Sequence, residues 1–239
     1  MRYINRIGLL VFLFFAVSCT TQQINQTLGE ILAENQSLTT EEVAEGLKQA
    51  LSKGISQGAA QASQEGGYYE NPRLKIPFPE DAQRVEEKLR QIGLGNQVDR
   101  FILTLNRGAE EAAKEAKPIF LDAIRSMTIR DAWNILKGED DAATEYLRRT
   151  TGEQLRAKFE PVISRALDQV EATRYYGDIV STYNRLPGVT RVNPDLTDYA
   201  TQKAIDGLFL LVAEEEKNIR ENPVARTTEL LKKVFAQAD

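Results

Sequence analysis

Three acidic runs and one basic-hydroxyl cluster are the stretches of this chain whose residue types could do chemistry. Glu139-Asp140-Asp141 follows Gly138 at a helix start, where carboxylates cap free N–H groups and offset the helix dipole. As a calcium loop the run lacks the alternating oxygen ligands and the glycine of an EF-hand. Glu214-Glu215-Glu216 lies inside the most hydrophobic helical stretch. Consecutive helical residues point in different directions, so one of the three can approach the core while the others stay wet. A solvated face is the plainer reading, though a glutamate buried there could act as a general acid through a raised pKa. Asp195 and Asp198 most simply cap the helix that follows them. Two carboxylates flanking a sugar bond suffice for glycoside hydrolysis, although any acidic chain holds such pairs by chance. A carboxylate-dependent hydrolase using Glu214, Asp140 or Asp141 is therefore an open alternative. Arg226-Thr227-Thr228, in the first turn after Pro223, could hold a phosphate or carboxylate. The plainer role for Arg226 is an ion pair with an acid of the preceding helix.

The remaining reactive side chain is Cys19, the one cysteine. Arg2 and Arg6 precede an almost wholly apolar run from Ile7 to Val17, and Ala16-Val17-Ser18-Cys19 closes it with small residues. Such a run is shorter than the about 20 residues of a membrane-spanning helix but suits the core of an export signal. The segment resembles a lipobox, where the cysteine sulfur takes a diacylglycerol and the preceding peptide is removed. Ala16 stands where Leu, Val or Ile is usual. An ordinary secretory signal with an incidental cysteine, or an uncleaved anchor, are the alternatives. An isolated thiol in an oxidising envelope favours acylation over both. Two or more acyl chains, at about 0.8 kcal/mol per buried methylene, make a stable anchor. Thr20 in place of Asp after the cysteine resembles the diderm signal for the outer membrane, with the protein facing the periplasm.

Composition removes whole classes of function. Without residues 1–18, which hold two arginines and no acid, the net charge falls from −5 to −7. That balance argues against nucleic acid and against electrostatic binding to anionic headgroups. The absence of histidine excludes a Ser-His-Asp triad, a Cys-His dyad, histidine-ligated zinc and a histidine pH switch. With Cys19 lipidated there is no thiolate nucleophile, disulfide or cysteine metal site, and no metal or other cofactor is expected.

The elements that must position these residues are helical throughout. Residues 19–38, rich in Gln, Asn and Thr, read as a tether; as a coil they would span on the order of 25 Å. Ile24, Leu28, Ile31 and Leu32 fall at helical spacing within it. A domain of residues 39–239 follows, large enough for one core. Its first helix, from about Thr40 to Gln64, carries the stripe Val43, Leu47, Leu51 and Ile55. Gly46, Ala50, Gly54, Gly58 and Ala62 recur every four residues beside that stripe. Interior glycines cost roughly 1 kcal/mol each against alanine, so close packing by another helix should offset them. A ligand groove, a dimer seam or an apolar lipid pocket is the functional alternative. Leu74-Lys75-Ile76-Pro77-Phe78-Pro79 must be extended, since alternating prolines forbid helix; Ile76 and Phe78 should enter the core, with a peptide-like docking site the other reading. Tyr68-Tyr69 and Tyr175-Tyr176 sit at helix ends, where such pairs pack or line a binding surface.

Further helices are expected from about Pro79 to Ile92 with Gly93 as stop, from Asn96 towards Lys117, and over Ile119 to Met127. Thr128 should cap another, ended by Gly138. Next come Asp140 to Arg149 and a separate helix opened by Thr151 and Gln154, which have capping-box spacing. A short helix around Ile179 and Tyr183, one from Leu196 to Arg220, and one from Pro223 complete the chain. The result is an all-α fold of about nine helices with one extended, proline-containing strap.

Several stretches together resemble a known bacterial family. They are Asn71 to Pro77, Ala116 to Ile124, Asp140 to Thr144, and the tail motifs Asp206-Gly207-Leu208-Phe209, Glu214-Glu215-Glu216 and Ala225-Arg226-Thr227-Thr228. The chain resembles domain-of-unknown-function family 4197 over everything after Thr39. That likeness implies an export signal and an envelope location, and it carries no catalytic residues. The expectation is a membrane-tethered, non-enzymatic module that binds an envelope protein or a small apolar ligand. A hydrolase of envelope polymers and a lipid-handling protein are the alternatives.

Overall fold

The computed structural model describes residues 39–222, apart from 92, 170–175, 178–179, 182–183, 186, 188–190 and 194. The predicted helices around Ile179 and Tyr183 and after Pro223 therefore lie outside the described residues. So do Cys19 and the Arg226-Thr227-Thr228 cluster. Among the described residues there are seven α-helices, a 3-10 turn over Glu80–Ala82, and no strand. The helices are α1 (Thr40–Ala62), α2 (Gln83–Gln91), α3 (Gly95–Ala113), α4 (Ala116–Arg125), α5 (Ile129–Leu136), α6 (Ala142–Asp168) and α7 (Leu196–Glu221).

The all-α expectation holds, but the count of about nine needs correction. Asp140 to Arg149 and the stretch after Thr151 form one continuous helix, α6. Thr151 is buried mid-helix, where its hydroxyl donates to the Leu147 carbonyl at 2.6 Å. That back-bond occupies the oxygen a cap would need. The helix expected to reach Lys117 stops at Ala113, because Pro118 cannot continue it from the N-terminal side. Pro118 lies instead in the first turn of α4.

Other boundaries follow the local chemistry. Gly93, at φ 88°, ends α2, with Leu94 N–H bonding the Leu89 carbonyl at 2.9 Å. Thr128 and Asp131 close a reciprocal capping box at α5. Hydrogen bonding from the Thr128 hydroxyl, then from its backbone N–H, holds the Asp131 carboxyl below the ordinary range. Asp195 caps α7 by accepting from Asp198 N–H at 3.0 Å.

The two longest helices, α6 and α7, pack on each other; α3 lies against α6, and α1 against α7, α4 and α5. Phe101, Phe120, Phe159 and Phe209 are fully buried, and Phe120 meets Phe209 edge-to-face at 5.6 Å. The small-residue face of α1 is closed by α7. A Cβ placed on Gly54 would meet Glu215 Cβ at 3.2 Å and Ile219 Cδ1 at 3.3 Å, and one on Gly58 would meet Leu211 Cβ at 3.4 Å. Intramolecular packing, the expected reading, thus accounts for Gly54 and Gly58, and where the lipid-pocket alternative would need open space that face meets the molecule's own helix.

Candidate functional site

The acidic run of α7 separates by helix geometry. Residues two apart on a helix diverge by about 200°, and Glu214 and Glu216 do so here. Glu216, 3% exposed, turns to the start of α6. Its carboxylate accepts from Ala143 N–H at 2.9 Å and from both the N–H and the hydroxyl of Thr144 at 2.8 Å. Arg220, one turn on, donates to the same carboxylate at 2.8 Å and to the Ile135 carbonyl at 2.9 Å. One buried pair therefore caps α6, meets a carbonyl near the end of α5, and fixes both to α7. Asp141, the residue before α6, makes no side-chain cap. Glu214 faces the other way and pairs with Arg73, just before the strap.

A second carboxylate is consumed in the same manner. Glu110 of α3, 4% exposed, accepts from the N–H groups of Tyr68 and Tyr69 at 3.1 Å and from Arg107 at 2.6 Å. These bonds hold the turn after α1, in which Gly66 has φ 84°. A Cβ on Gly67 would lie 2.4 Å from the Gln61 carbonyl oxygen, so only glycine fits. Tyr68 is fully buried and donates to the Ala204 carbonyl at 2.6 Å. Burial, and secondarily the Glu110 charge, push its phenol well above the ordinary range.

The strap runs from this turn. Leu74, Ile76 and Phe78 are buried and alternate with exposed Lys75 and Pro77, each burial worth roughly 1.5–3 kcal/mol. Asn106, fully buried, accepts from Ile76 N–H and donates to the Ile76 carbonyl, both at 2.8 Å. A side-chain amide thus satisfies backbone groups that no neighbouring strand reaches. The core-packing reading of the strap is the one observed.

The candidate acids are not gathered into one reaction centre. Asp140 and Asp141 are exposed on the turn before α6, while Glu214 is across α7 from Glu216 and paired with Arg73. Among the described residues no cluster of three acidic or cysteine side chains is placed to hold a metal ion, and no helix is long and apolar enough to cross a membrane.

A recess lies at the start of α7. Pro79, Tyr176, Asn193, Asp198, Tyr199, Gln202 and Lys203 line about 200 Å³. That is below the roughly 300–1,000 Å³ of sites for drug-sized ligands, and suits one small polar molecule or a single inserted side chain. Its walls are tied in place. Arg156 donates to Asp198 at 2.8 Å and to Gln202 at 3.0 Å. Tyr176 donates to the Asn193 carbonyl at 3.1 Å, and Tyr199 to the Pro77 carbonyl at 3.2 Å. Phe78 of the strap packs edge-on to Tyr176 at 5.8 Å, so the strap supports the recess from behind. Tyr176 and Asp198 drew notice in the sequence singly; nothing local to either indicated that Arg156 and the strap would bring them together.

No characterised protein and no solved structure matches the chain. One family model does, described as "Protein of unknown function (DUF4197)", and it spans residues 37–236, which takes in the strap, both buried carboxylates and the recess. The chain belongs to that family.

Proposed function

We propose that this protein is a lipid-anchored module of the cell envelope, held through Cys19 at the outer membrane and facing the periplasm. Its helical domain binds a partner or a small polar molecule and does not turn it over. The observation that carries the binding role is the recess at the start of α7. Aromatic surface lies there beside fixed donors and acceptors, and its walls are hydrogen-bonded to the fold, so little ordering is needed when a ligand arrives. Asp198, the carboxylate of the recess, is already bonded to Arg156. The deepest acids, Glu110 and Glu216, are bonded to backbone N–H groups and arginines, which favours a scaffolding role for them over a hydrolytic one.

The anchor and the binding surface are tested separately. Palmitate labelling of the whole protein should be lost in Cys19→Ser; label kept by the serine form would refute acylation at that residue. Crosslinking in the native envelope should yield a reproducible adduct whose amount falls at least about tenfold in a Gln202→Ala, Lys203→Glu double variant, a loss of about 1.4 kcal/mol. Both side chains are exposed on α7, so the fold should persist. Equal adduct from both proteins would remove the recess as the site, and no adduct from either would remove the binding role.

A further inference from the structure

We draw no further inference here: the strongest candidate, the surface face of α5 that carries exposed Ile129 and the Lys137-covered ring of Trp133, is an unpartnered apolar patch, and nothing in the structure shows what covers it.

Discussion

Glu110 and Glu216 are two solutions to the same problem, and they differ in how far each is withdrawn from water. Both are buried carboxylates that accept from two successive backbone N–H groups and from an arginine on their own helix. At Glu216 the arginine is also withdrawn, with 15% of its side chain exposed, and it bonds a third helix. At Glu110 the arginine is 35% exposed and reaches out to Glu65 on the surface. Glu216 joins helix ends in the interior, while Glu110 clamps a glycine turn at the edge. A buried charge whose partner is removed is costly in proportion to the water it cannot regain. The two sites should therefore respond unequally to the same deletion.

The largest effect is expected for Glu216→Ala. It strands Arg220, opens the N-terminus of α6, and should lower stability by about 3–5 kcal/mol, measured by urea unfolding. Glu110→Ala leaves an arginine that water can reach, so about 2–3 kcal/mol is expected from the two freed amides. Equal losses would break the comparison.

Tyr68 sharpens the comparison from the Glu110 side. Tyr68→Phe forfeits the bond to Ala204 and should cost about 1 kcal/mol at neutral pH. The native phenol is held protonated while the unfolded one ionises near pH 10. Above that pH the unfolded chain has fewer bound protons, so the stability contributed by Tyr68 falls as pH rises. The gap between wild type and Tyr68→Phe should narrow in unfolding curves taken above about pH 10 and stay constant below it. The smallest effects belong to half-buried Glu214 and exposed Asp140 and Asp141. Glu214→Ala, Asp140→Asn and Asp141→Asn should each change stability by less than about 1 kcal/mol in the same assay.

How much of this was legible in the sequence depended on distance along the chain. Gly93, the Thr128 cap and the Asp195 cap were readable because each signal and its partner lie within a few residues. The strap was readable because prolines constrain their own backbone. Thr151 misled because spacing alone does not distinguish a threonine capping forward from one bonding back to residue i−4. The role of Glu216 was hidden for a different reason: Thr144, its partner, is 72 residues away. The acidic run allowed that one member could approach the core, but did not say which, nor that it would serve the start of α6 in place of Asp141. Asn106 and Glu110 gave no local signal, since their partners Ile76 and Tyr68 lie 30 and 42 residues off. Pairing across such separations is set by how α3 packs beside the strap, which periodicity does not encode.

The most direct test is a pair of double-mutant cycles, Glu216 with Arg220 and Glu110 with Arg107, each read by urea unfolding at neutral pH. If the buried acids are structural staples graded by burial, the Glu216–Arg220 coupling should be about 2 kcal/mol or more and clearly exceed the other. A Glu216–Arg220 coupling near zero, or smaller than that of Glu110 with Arg107, would contradict it.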